Sequence, residues 1–102
     1  MPLIFLTGLP RTGTSWASRV IAAATGSQLA NEPYNYKYQP ESVAYHMKYL
    51  PAGSDAPPFL EIARRAIGTE TRVVLKDVHC CLAVEYLWEQ LRPLTIIIIR
   101  HP

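Results

Sequence analysis

Cysteine is nearly absent: the 102 residues contain two, Cys80 and Cys81, side by side. Neighbouring residues of a strand or helix direct their side chains apart, so a bridge between them would be strained, and a disulfide scaffold is excluded. Cys and His never occur at zinc-type spacing, so no metal is expected and a reducing, cytoplasmic setting is the simplest expectation. Long hydrophobic runs are missing too. Leu3 to Leu6 and Leu94 to Ile99 are strand length, well short of the ~20 residues that span a bilayer. The first of these runs has no basic stretch before it and is interrupted by Pro10 and Arg11, which argues against a signal peptide. Charge of one sign is scarce as well, with 10 Lys+Arg against 8 Asp+Glu, formally +2. These charges are scattered, so a nucleic-acid partner is not expected.

What is present is apolar: 49% of the residues are hydrophobic and 18% charged, a balance that supports a buried core and one small domain over residues 1–102. No internal repeat is found. Leu3 to Leu6 reads as a strand buried on both faces, followed by a polar Gly-containing loop, Gly8 to Gly13. Thr14 or Ser15 can then cap a helix on which Trp16, Val20 and Ala24 form one stripe with Ala17 and Ile21 beside it, stopping at Gly26. The middle reads as a surface insertion, with a helix near Glu41 to Leu50 and a Pro/Gly turn at Pro51 to Pro58. Phe59, Ile62, Ala63, Ala66 and Ile67 fit an amphipathic helix closing at Gly68. Arg72 to Leu75 is a β-branched strand, Leu82 to Leu91 a helix ended by Pro93, and Thr95 to Ile99 the most apolar strand.

Strands alternating with helices predict an α/β fold, an open parallel sheet with flanking helices in which ligands gather at the carboxyl ends of the strands. Three segments fall there: Gly8 to Ser15, Lys76-Asp77 and Arg100. Gly8-Leu9-Pro10-Arg11-Thr12-Gly13-Thr14-Ser15 matches a P-loop NTPase-like phosphate cradle at each defining position except the lysine, which is Thr14. The glycines let successive N–H groups face one anion, and the following helix N-terminus favours negative charge. Without the lysine, Arg11 is left to supply the positive charge, and Thr12, Thr14 and Ser15 offer hydroxyls. No strand ends in an aliphatic run followed by Asp, the usual magnesium arrangement. A metal-free ligand with separated phosphates therefore fits better than a nucleoside triphosphate.

These residues resemble the sulfotransferases that use 3′-phosphoadenosine 5′-phosphosulfate (PAPS), nearest the bacterial and carbohydrate-modifying branches. Pro10 to Trp16 is similar to that family's 5′-phosphosulfate loop. The resemblance implies that Arg11, Thr12, Gly13, Thr14 and Ser15 hold the 5′-phosphate and sulfonate, and that Trp16 packs beneath the adenosine or into the core. Ile96 to Pro102 resembles the strand whose terminal arginine, here Arg100, binds the 3′-phosphate. Family members run further and place a serine beyond that arginine, so the chain looks like the N-terminal part of a longer enzyme. Leu75-Lys76-Asp77 resembles a Lys-Asp element, which implies that Lys76 neutralises charge at the sulfonate. Asn31-Glu32-Pro33 is similar to a Glu-Pro element in which the glutamate, here Glu32, acts as base. The implied acceptor is a hydroxyl or amine of a small molecule or carbohydrate.

Each assignment has a plainer rival. The loop could be a structural corner, Lys76 could pair at the surface with Asp77 or a nearby glutamate, Arg100 could be a solvated strand end, and Glu32 before Pro33 could simply begin a turn. His79 reads as a polar helix-start residue and His46 as a surface residue. Tyr34, Tyr36, Tyr38, Tyr45 and Tyr49 read as edge packing with hydroxyls in water. Cys80 and Cys81 read as small apolar packing residues. Two other functions compete: a magnesium-dependent P-loop kinase, which would need a lysine at position 14, and a nucleotide-binding fragment without activity.

Overall fold

The structure is a computed structural model and describes residues 3–9 and 12–99. Four strands, β1 (Leu3–Gly8), β2 (Gln28–Asn31), β3 (Val73–Lys76) and β4 (Leu94–Ile98), form one sheet in the order β2-β3-β1-β4. All three pairings are parallel. Three helices flank it: α1 (Thr14–Thr25), α2 (Pro57–Ile67) and α3 (Val84–Leu91). The α/β class, the parallel sheet and the flanking helices expected from the sequence are thus observed. Among the described residues no helix is long and apolar enough to cross a membrane.

The connection from β1 to β2 runs toward one side of the sheet, and those from β2 to β3 and from β3 to β4 run back. Right-handed crossovers then require α1 on one face and α2 and α3 on the other. Strand parity matches this division. Ile4, Leu6 and Val74 pack with Ala22 and the partly buried Ala17 and Ile21 of α1. Phe5 and Leu75 pack with Phe59 and Ile62 of α2 and Tyr86 and Leu87 of α3. The central strands β1 and β3 are buried on both faces, as their unbroken apolar runs require.

Several elements depart from the sequence expectation, each for a physical reason. Strand β2 fills the stretch between α1 and the expected insertion, which the sequence left unassigned; it reads exposed, half-buried, half-buried, exposed, and such an edge strand has neither an apolar run nor an alternation to betray it. The helix expected near Glu41 to Leu50 is only a 3-10 turn, Pro40–Tyr45. On α1 the stripe turned to the sheet is Thr14, Ser18 and Ala22, whereas Trp16 is 67% and Val20 46% exposed. Small residues let α1 lie close to the strands, so the bulkier stripe is left outside. Most of the expected 82–91 helix is α3, preceded by a 3-10 turn at Cys81–Ala83. Tyr34 lies in the core, stacked on Phe59 with ring centroids 4.3 Å apart, and its hydroxyl donates to the Phe59 carbonyl at 2.7 Å. Burial accordingly pushes the Tyr34 phenol well above its usual range. Cys80 is buried in the same cluster, and Cys81 is half-buried with its thiol 3.9 Å from Met47 Sδ.

β4, the most apolar segment, is an edge strand with Leu94 and Ile97 exposed. Its pairing with β1 sets Gly8 opposite Ile98. A Cβ on Gly8 would stand 2.6 Å from the Ile98 carbonyl oxygen and 3.0 Å from Thr12 Oγ1, so the start of the loop is pressed against β4 by contacts that only glycine permits. Gly8→Ala is therefore expected to force the two strands apart and to lower unfolding free energy by about 1–3 kcal/mol in urea titration. An unchanged midpoint would show that β1 and β4 tolerate separation.

Candidate functional site

The site forms where β3 ends. Lys76 and Asp77 are consecutive, so the pleat sends their side chains to opposite faces of the sheet. Lys76 follows Val74 toward α1, and Asp77 follows Leu75 toward α2 and α3. Both are buried, Lys76 3% and Asp77 0% exposed, and a buried charge needs partners. Of the plainer pairings raised by the sequence, the one with Asp77 is thereby excluded, and the one with a nearby glutamate is observed, with Lys76 buried instead of at the surface.

Lys76 Nζ donates to Glu32 Oε1 at 2.7 Å and to Ser15 Oγ at 3.1 Å. These three residues come from the ends of β3 and β2 and the first turn of α1, and they meet because β2 pairs with β3 in a register that sets Asn31 opposite Lys76. Glu32 begins a turn before Pro33, as its plainer reading has it, though not in an extended conformation. Its φ is 53°, in the left-handed region that a non-glycine residue enters only under constraint. The constraint is visible: Glu32 N–H donates to the Lys76 carbonyl at 2.6 Å, and the Glu32 carbonyl accepts from Asn35 N–H at 3.0 Å. Partial burial works against charge on Glu32, but the hydrogen bond and charge of Lys76, helped by His79 and Asn35, outweigh it and hold the carboxyl below its ordinary range.

Asp77 organises the opposite face. Its carboxylate accepts from Tyr34 N–H at 2.6 Å, His79 N–H at 2.7 Å and His79 Nδ1 at 2.9 Å. Burial nonetheless pushes its carboxyl upward against those hydrogen bonds. Thr7 Oγ1 donates to the Asp77 carbonyl at 2.6 Å, binding the end of β3 to β1. The His79 ring is turned toward Asp77 and lies 5.4 Å, centroid to centroid, from His46; it does not line the cleft that holds Lys76 and Glu32.

That cleft has a volume of about 450 Å³ and is lined by Gly13 to Trp16, Arg19, Glu32, Lys76 and Val78. Of the residues singled out in the sequence, it gathers Gly13, Thr14, Ser15, Trp16, Glu32 and Lys76. Gly13 stands at the helix boundary with φ 87° and α1 has no acidic residue in its first turn, so the amide-rich helix N-terminus is uncompensated at the cleft mouth. Thr14 is buried at 4%, and Trp16 forms an exposed wall. Thr12 belongs to the other side of the loop. Its hydroxyl donates to the Leu9 carbonyl at 2.7 Å, and it borders a second, apolar cavity of about 230 Å³ with Leu9, Leu82 and Ile98. Arg11 and Arg100 lie outside the described residues. Arg19 is the cleft residue that the sequence reading passed over; its spacing of three from Trp16 and four from Ser15, which puts all three on one helix face, was the available signal.

Comparison with protein-family models, curated proteins and solved structures finds no match for this chain.

The sign of the Glu32 shift gives a pH test. A carboxyl with a lowered folded pKa stabilises the fold above its unfolded pKa and loses that contribution as pH falls through the folded value. Glu32→Gln is expected to be less stable than the native chain by about 2 kcal/mol at pH 7, with the gap closing as the medium is acidified below the ordinary carboxylate range. Denaturant midpoints of both proteins across pH read this directly. A gap that stays constant would show that the ion pair contributes nothing.

Proposed function

We propose that this chain is a P-loop-type sulfotransferase domain that binds PAPS and passes its sulfonate to a hydroxyl or amine of a small-molecule or carbohydrate acceptor. The observation that carries the reading is the Lys76 ammonium bridging Glu32 and Ser15 beside the N-terminus of α1. It sets a cation, a hydroxyl, a carboxylate and a row of helix-start amides around one cleft. The sequence likeness of 10–16 and 96–102 to the donor-binding motifs supports it, as does the adjacency of β1 and β4, the strands that lead to Arg11 and Arg100.

PAPS, when bound, supplies a sulfonate on a 5′-phosphate leaving group. In the proposed step the acceptor oxygen or nitrogen forms a bond to sulfur while the bond from sulfur to the bridging phosphate oxygen breaks. The acceptor proton passes to Glu32, and the electron pair leaves with the phosphate. Gly13, Thr14 and Ser15 hold the anion, with Arg11 and Thr12 assigned to the same phosphate and Arg100 to the 3′-phosphate by resemblance. Lys76 serves both ends of the reaction. As its ammonium turns to the charge developing on the leaving oxygen, its hold on Glu32 weakens and the carboxylate becomes a better base. A reducing, cytoplasmic setting belongs to the same proposal and accords with two free thiols, one of them buried.

Calorimetric titration with 3′-phosphoadenosine 5′-phosphate and with adenosine 5′-phosphate tests the reading. The bisphosphate is expected to bind at least about tenfold more tightly, and Glu32→Gln is expected to preserve that preference. Equal affinities, or magnesium-dependent ATP binding in their place, would overturn the reading in favour of a kinase-like protein.

A further inference from the structure

The cleft holds a second cation whose charge the donor-side arrangement does not use. Arg19 lines it together with Lys76 and Glu32, and it is exposed. No carboxylate of the described residues lies within ion-pair distance of its guanidinium. Lys76 is already committed to Glu32, so the two lysine and glutamate charges cancel and Arg19 gives the cleft wall its net positive sign.

Its position separates it from the phosphate end. Arg19 follows Ser15 by four residues on α1, which places it about 6 Å further along the helix axis from the N-terminal amides. It therefore stands further from Gly13 than Ser15 does, one turn along α1 from Trp16, and shares the lining of the cleft with Glu32, Lys76 and Val78. A sulfonate held between the helix N-terminus and Lys76 would be approached from the Glu32 side, because the acceptor must reach the carboxylate that takes its proton. The acceptor then occupies the cleft that Arg19 also lines.

We propose that Arg19 sets acceptor specificity by receiving a carboxylate carried by the acceptor, so that the substrates of this site are acidic, of the uronic-acid type. The guanidinium fork matches a carboxylate through two parallel hydrogen bonds and stays charged at any physiological pH. The Trp16 ring, 67% exposed beside it, offers a flat apolar surface on which a sugar ring can rest. The inference rests on the cleft being a sulfonate-transfer site, and its test separates the two ideas.

Methyl β-D-glucuronide and methyl β-D-glucoside differ only at C6, a carboxylate in the first and a hydroxymethyl group in the second. Each is titrated calorimetrically into the native chain and into Arg19→Gln, with and without 3′-phosphoadenosine 5′-phosphate. The native chain is expected to favour the glucuronide by about tenfold, the variant to show no preference, and the bisphosphate to bind both proteins equally. Equal binding of the two glycosides by the native chain overturns the proposal, as does a preference that survives in Arg19→Gln. A loss of bisphosphate affinity in the variant also overturns it, since Arg19 would then belong to the donor. Failure of the bisphosphate to bind either protein, with the glucuronide preference intact and dependent on Arg19, supports the acidic-ligand site and rejects sulfonate transfer.

Discussion

The alternation of side chains along β3 governs the arrangement around it. Because Lys76 and Asp77 are neighbours in an extended chain, one charge is delivered to each face of the sheet, and each must find its own partners in a buried setting. On the α1 face, Lys76 gathers Ser15 and Glu32 into the cleft. On the other face, Asp77 fixes the backbone of Tyr34 and both nitrogens offered by His79. The segment from Glu32 to Tyr34 is thus tied at both ends to one dipeptide, which explains how an irregular stretch holds a carboxylate in a defined place.

The two carboxylates respond to pH in opposite senses. Glu32, lowered by its ammonium partner, favours the fold above the acid range, while Asp77, raised by burial, disfavours it progressively as pH climbs through the interval above its unfolded value. The cleft side and the core side of this dipeptide thus pull the acid limb of the stability profile in different directions. The positions of the two groups in the fold, more than their chemistry, decide which way each pulls.

Much of this was legible in the sequence because the relevant signals are local. Gly26 and Gly68 end α1 and α2 as their left-handed φ values of 63° and 60° require, and the unbroken apolar runs of β1 and β3 announce burial on both faces. The convergence of Gly13 to Ser15 with Lys76 followed from placing strand ends on one rim. What was hidden depends on distant partners. Strand β2 is recognisable only from its pairing with β3, the burial of Tyr34 depends on Phe59 and Asp77, and β4 is apolar yet marginal because it pairs on one side alone. Arg19 is hidden because the Trp16 stripe reads as the packing surface of α1, whereas its smaller residues make the contact with the sheet.

The left-handed backbone at Glu32 carries a cost that evolution or design could remove. Glycine there would relieve roughly 1 kcal/mol of conformational strain. The same exchange would strip the cleft of its carboxylate and strand a buried ammonium. The strained torsion is thus held by the ion pair it makes possible, and the loss of that pair would outweigh the strain relieved.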